Sequence, residues 1–149
     1  MKFHKSARLH HRSLQERLFT EGVKMHEYPL KMVWNALSRE ELEANFRNHV
    51  PDLIGPVQVL VSVPKKKRRL AVDRVLLRRR IREAFRLNRG QLLEAVKGAG
   101  NVRTLSIGII YMKTSNSTYA EIEQKLVRLL AKLTETIERN SRPESPEED

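Results

Sequence analysis

Two rhythms of apolar residues run along this chain. Within "SLQERLFTE" (13–21), Leu14, Leu18 and Phe19 recur at i, i+4 and i+5. That spacing predicts a short helix with these three as its buried stripe, stopped by Gly22. "YPLKMVWNAL" alternates enough for a strand that begins after Pro29. "SREELEANFRNHV" opens with Ser38 and Glu41 in capping-box spacing, and Leu42, Phe46 and Val50 then repeat every four residues, as a helix would place them. "VQVLVSV" (57–63) is a β-branched strand, and "PKKKRR" after it is a loop. Residues 72–89 predict a helix, "QLLEAV" one or two further helical turns, and "TLSIGIIYM" a buried strand. Thr118 and Glu121 repeat the capping-box spacing. Tyr119, Ile122, Leu126, Leu129, Leu130, Leu133 and Ile137 then mark one face of a long helix. Strands alternating with helices around one small sheet indicate an α/β (α+β) two-layer sandwich.

The segment "VDRVLLRRRIREAFRLNR" (72–89) carries seven arginines. Wound at about 100° per residue, it gathers Leu76, Leu77, Ile81, Ala84, Phe85 and Leu87 on one side, broken by Arg80. Arg74, Arg78, Arg79, Arg82, Arg86 and Arg89 gather on the other. Guanidinium forks at one-turn spacing suit bidentate contact with successive phosphates. Glu83 flanks that face and is placed to orient an arginine. Val75 falls in its middle, where a β-branched apolar side chain has no packing role.

Charge sharpens this picture. The 149 residues suit one domain and carry a formal net charge of +11. The surplus is concentrated. Residues 64–89 hold twelve Lys/Arg against Asp73 and Glu83, and residues 1–12 hold Lys2, Lys5, Arg8 and Arg12 with no acid. Like charges packed this densely repel unless an anion joins them, so a polyanionic partner is expected. The C-terminal "ESPEED" is acidic and reads as a disordered tail over 139–149, after a single domain over 1–138.

The sequence offers little for catalysis by the protein itself. It has no cysteine, which removes disulfides and thiolate metal sites and fits a reducing cytoplasm. A two-metal nuclease needs clustered carboxylates. The aspartates are Asp52, Asp73 and Asp149, with no ligand spacing among them, and the glutamates mostly sit on amphipathic helices. His10 and His11 are adjacent, which suits a phosphate-facing or surface role better than a shared metal. His4, His26 and His49 are isolated. No secretory signal, membrane-length apolar run or glycine-rich phosphate loop is present.

The segment "VSVPKKKRRLAVDRVLLRRRIREAFRLNR" resembles the signature of the bacterial ribonuclease P protein subunit: a strand ending in Val-Ser, a basic loop, then Ala-Val-x-Arg-Asn-x-x-Lys-Arg-x-x-Arg-Glu-x-Phe on a helix. Ala71, Val72, Arg74, Arg79, Arg82, Glu83 and Phe85 match it. Arg78 stands where lysine is usual, and Val75 stands where the family has asparagine. "ARLHHRSLQERLFTEG" is similar to the family's opening, and "LSIGIIYM" with "TYAEIEQKLVRLLAKL" to its last strand and helix. Residues 38–52, read as a helical insertion, and the tail fall outside the pattern.

The resemblance implies a mixed sheet with a left-handed βαβ crossover, a fold shared with ribosomal proteins. Right-handed crossovers are the strong default, so periodicity alone points to the opposite hand. The resemblance also implies a subunit, one copy per ribonucleoprotein, that partners a catalytic RNA. That RNA and its Mg²⁺ ions remove the 5′ leader of precursor tRNA, and no cofactor is held by the protein alone. On this basis Arg74, Arg78, Arg79, Arg82, Arg86, Arg89, Lys65, Lys66 and Lys67 are expected on the catalytic RNA. The single-stranded leader is expected in a cleft between the sheet and the first helix. Candidates there are Phe19, Gln15 (where the family has an aromatic), Tyr28, Trp34, Arg8 and Arg12. A ribosomal RNA-binding protein is the alternative. A basic helix on an acidic membrane fits less well, because its apolar side is needed to cover the sheet.

Overall fold

The computed structural model describes residues 5–47, 49–51 and 54–141. His4, Asp52, Asp149 and the acidic residues of the tail lie outside these. A 3₁₀ turn, Lys5–Ala7, leads into α1 (Arg12–Glu21), β1 (Val23–Glu27), β2 (Leu30–Leu37) and α2 (Arg39–Asn45). β3 (Val57–Ser62), α3 (Ala71–Asn88), α4 (Gly90–Gly98), β4 (Thr104–Tyr111) and α5 (Tyr119–Ser141) complete the chain. The last helix thus continues three residues past the expected domain end at 138.

The four strands form one mixed sheet in the order β1-β2-β4-β3. β1 and β2 make an antiparallel hairpin across the turn at Tyr28 and Pro29, and β2 pairs antiparallel with β4. β3 lies parallel to β4, with Val59 opposite Ile107, so α3 and α4 together form the crossover between parallel neighbours.

Strand alternation sends side chains to two different environments. On one face Leu30, Met32 and Trp34 of β2, Val57, Val59 and Val61 of β3, and Leu105, Ile107, Ile109 and Tyr111 of β4 pack against α3, α4 and α5. The α5 stripe from Ile122 to Ile137 is buried there as its spacing predicts. Thr118 caps that helix by accepting from the Glu121 N–H at 3.1 Å, while the Glu121 carboxylate turns to Lys113 at 3.3 Å. The Tyr111 hydroxyl is buried and ties down the turn before α5, accepting from the Ser117 N–H at 2.8 Å.

The other face carries a smaller cluster: Leu9, Leu14 and Leu18 with Val33, Leu37, Leu42 and Ile54. Here α1 approaches so closely that a Cβ at Gly22 would run into the Leu18 carbonyl oxygen and the Val33 side chain. The Ser38–Glu41 box is reciprocal, at 2.9 and 3.1 Å. α2 stops after seven residues, and Phe46 and Val50 continue from it as partly buried packing against this cluster.

Candidate nucleic-acid interface

The arginine helix is anchored first at its start. Arg68 bonds the Asp73 carboxylate at 2.9 Å and the Asn116 side-chain oxygen at 2.9 Å, while Asn116 donates back to Asp73 at 3.1 Å. This knot joins the loop before α3 to the loop before α5. It also puts an acid in the first turn, where the helix dipole favours it. Arg74 completes it by donating to the carbonyls of Arg68 and Arg69 at 3.0 and 2.7 Å. Lys65, Lys66 and Lys67 project from a loop held in place by these bonds, with Lys65 and Lys66 exposed.

The apolar side of α3 is narrower than the helical wheel suggests. Leu77, Ile81, Ala84 and Phe85 are buried. Leu76 is half-buried, and Leu87 is 56% exposed, because α3 meets the rest of the domain along one seam only. Arg80 turns inward and donates to the Ser117 carbonyl. Val75 is 48% exposed on the outer face, as the wheel places it.

The arginines therefore divide by role. Arg74 serves the loop and Arg80 the α5 turn. Arg86 forks onto Glu83 at 3.1 and 2.8 Å, which confirms the orienting role read for that acid. This pairing holds the Glu83 carboxyl below its ordinary range and raises the Arg86 guanidinium. Among the described residues no carboxylate pairs with Arg78, Arg79 or Arg82. Arg82 is pushed below the usual guanidinium value, first by burial and then by the charges of Arg78 and Arg8. Arginine stays charged at any ordinary pH, so the crowding is a standing repulsion that an anion would relieve.

Arg8 is the residue that sequence reasoning grouped elsewhere. The Leu9 N–H donates to the Val59 carbonyl at 3.1 Å, and a single parallel bridge joins Arg8 to Val59 at the edge of the sheet. This brings the N-terminal segment alongside α3. Between them opens a groove of about 960 Å³ whose lining includes Arg8, His10, Gln15, Leu76, Arg79, Arg82 and Tyr119. Only the expected crowding of cations hinted at it; nothing local to "ARLHH" fixes which helix it faces.

The expected leader residues do not share one place. Phe19 is 48% exposed rather than part of the buried stripe of α1. Its ring lies over Gly108, where an added Cβ would stand 3.6 Å from Phe Cζ. Gly108 pairs with Val33 on one side and Leu60 on the other, so Phe19 stands on the α1 face of the sheet. Gln15 lies one turn earlier and faces the groove, its amide donating to the Leu9 carbonyl at 2.8 Å. Arg12 is exposed and bonds Glu16 at 3.0 Å. Tyr28 is exposed in the β1–β2 turn. Trp34 is buried on the opposite face among the α3–α5 core, which removes it as a stacking platform for anything bound beside α1. Its register decides this, since Met32 and Trp34 face one way and Val33 the other.

His10 stacks on His11 with ring centroids 4.2 Å apart, and His11 meets Phe46 edge-on at 5.5 Å. Burial, followed by the neighbouring His10, lowers the His11 value. Among the described residues no group of three or more His, Asp or Glu is gathered as a metal site would require. No helix among them is long and apolar enough to cross a membrane.

The sequence model of the family described as Ribonuclease P matches residues 3–134. No curated protein matches the chain. Among solved structures, the RNase P protein of Staphylococcus aureus has a TM-score of 0.60 at 18% identity, covering 89% of this chain and 99% of that one. The RNase P protein of Thermotoga maritima has a TM-score of 0.59 at 19% identity, covering 84% and 96%. At such identities the structural likeness speaks for the fold, and the family match carries the relationship.

Proposed function

We propose, because this chain belongs to the ribonuclease P protein family, that α3 is the surface on which it holds the catalytic RNA of that enzyme. The chain is the protein component of a ribonucleoprotein endoribonuclease that acts in tRNA processing. The observation that carries the finer reading is the trio Arg78, Arg79 and Arg82, which has no carboxylate partner among the described residues. Three fixed cations on a rod wedged against the sheet can meet successive phosphates without first breaking ion pairs. Lys65, Lys66 and Lys67 extend the same positive field.

In this reading the single-stranded 5′ leader of precursor tRNA lies along α1. Phe19 offers a ring face to an unstacked base, and Lys24, His26 and Lys31 share its side of the sheet by strand alternation. The hydrolytic chemistry and its Mg²⁺ ions belong to the RNA, and the protein supplies binding and alignment. We place this work in the cytoplasm.

Reconstitution tests the reading. With its cognate catalytic RNA at low Mg²⁺, the full chain is expected to stimulate removal of the leader. A chain that binds other structural RNA and leaves this reaction unchanged would refute it.

A further inference from the structure

The N-terminal segment runs along the edge of β3, and its exposure alternates. Ala7 and Leu9 are buried, whereas Arg8 and His10 are exposed. Leu9 is held at both of its backbone polar groups. Its N–H donates to the Val59 carbonyl at 3.1 Å, and its carbonyl accepts from the Gln15 amide of α1 at 2.8 Å. Gln58 reaches the same segment from β3. Its amide nitrogen lies 3.4 Å from the Ser6 carbonyl and 3.5 Å from the Arg8 carbonyl. The Gly55 N–H also donates to the Ser6 carbonyl at 3.0 Å, and an added Cβ at Gly55 would run into that oxygen.

Two features give this clamp a purpose beyond packing. Gln58 is fully buried, yet its side-chain oxygen has no partner. A buried amide left half-satisfied costs stability, and an apolar side chain would cover the sheet without that cost. Arg8, for its part, has no carboxylate partner among the described residues, and its charge bears on Arg82. Like charges drive the segment away from α3, so contacts to its backbone must hold it there. A glutamine amide donates to a carbonyl and adds no charge to a crowded cationic surface, whereas lysine or arginine would add repulsion.

We infer that Gln15 and Gln58 are positioning residues for RNA binding: their amides fix the backbone of residues 6–9, and so hold Arg8 beside Arg82 as a further cation for an RNA phosphate. The inference rests on the RNA-binding reading above and gives Gln15 a task there other than contact with the leader. Gln15 acts through Leu9, and Gln58 through Ser6 and Arg8 itself.

The test is the salt dependence of binding to the cognate catalytic RNA, with hydrogen exchange of the Leu9 amide measured alongside. Gln15→Met keeps the length and neutrality of the side chain and removes its donor. Leu9 is expected to exchange faster in this variant, while the amides of β2 and β4 keep their protection. Arg8→Ala should lower the slope of log affinity against log salt by about 0.7–0.9, the loss of one phosphate contact. Gln15→Met should lower it in the same direction although it removes no charge. The double variant should fall no further than Arg8→Ala alone, because both changes remove one contact. Gln15→Asn, a methylene short of the Leu9 carbonyl, should behave as Gln15→Met does, and Gln58→Met should repeat the pattern. Failure of Gln58→Met to fold would assign that residue to the core and remove it from the inference. An unchanged slope in Gln15→Met, or in Arg8→Ala, would overturn the inference, as would losses that add in the double variant. In each of these cases a steep slope in the natural chain preserves the RNA reading, whereas no binding by the natural chain removes both.

Discussion

The two faces of the sheet are built to different standards. The face under α3, α4 and α5 is closed: Leu30, Met32, Leu105, Ile107 and Ile109 are all at or below 1% exposure, and three helices seal them. The face under α1 and α2 is covered only in part. Leu60 and Ile110 remain half-buried, and Phe19 stands out over Gly108. The closed face gives the domain its stability. The open face and the groove at its edge keep aromatic and cationic groups available. α3 belongs to both, because its buried seam faces the first and its outer arginines border the second.

Breaking the closed face should have the largest effect. Phe85→Ala is expected to cost about 3–5 kcal/mol of stability, the range for emptying a buried aromatic site, as read by denaturant unfolding. A cost as small as that of a surface change would mean α3 is not wedged as described. Next comes the outer row. Arg82→Ala should weaken binding of the catalytic RNA by about 1–3 kcal/mol with little change in melting temperature, and Arg80→Ala should do the reverse. Phe19→Ala should leave stability nearly intact and weaken single-strand affinity by about 1–3 kcal/mol, the scale of one stacked base. Loss of folding instead would return Phe19 to the core.

Smaller effects sharpen the division. Val75→Asn restores the usual residue of the family at an exposed site. It should alter stability by no more than about 0.5 kcal/mol while holding or improving RNA affinity. Unfolding would show Val75 to be buried. The smallest effect lies on the closed side, where Glu27 accepts from Lys132 at 2.6 Å and lies near Arg128. That hydrogen bond lowers the Glu27 value. A depressed carboxyl stabilises the fold above its unfolded value, and the contribution fades as pH falls through the folded one. Glu27→Gln should therefore lower the melting temperature slightly at pH 7, with the difference closing in acid.

What the sequence made legible follows from period. The α5 stripe, both Ser/Thr caps and the outward position of Val75 need only local winding, and the structure places them accordingly. β1 escaped notice because "VKMHE" is an edge strand with little buried surface to mark it. Leu76 and Leu87 lie on the apolar side of the wheel yet are half-buried and exposed, because periodicity gives direction and not the width of a seam. Trp34 could not be assigned a face without its strand register. Arg74 looked like its neighbours on the helical wheel, yet its carbonyl partners come from a loop whose path the wheel does not contain. Arg8 meets Arg82 through tertiary contacts, chiefly a bridge to Val59 of β3, far away in the chain. Local pattern thus shows which residues can bind, and tertiary contacts decide which of them are free to.

The most direct measurement is the salt dependence of binding to the cognate catalytic RNA, for the natural chain and for a variant with Arg78, Arg79 and Arg82 all changed to alanine. Released counterions set the slope of log affinity against log salt, at about 0.7–0.9 per phosphate neutralised. The account predicts a steep slope for the natural chain and a slope shallower by about 2–3 for the variant. Equal slopes in the two proteins, with both still folded, would contradict it.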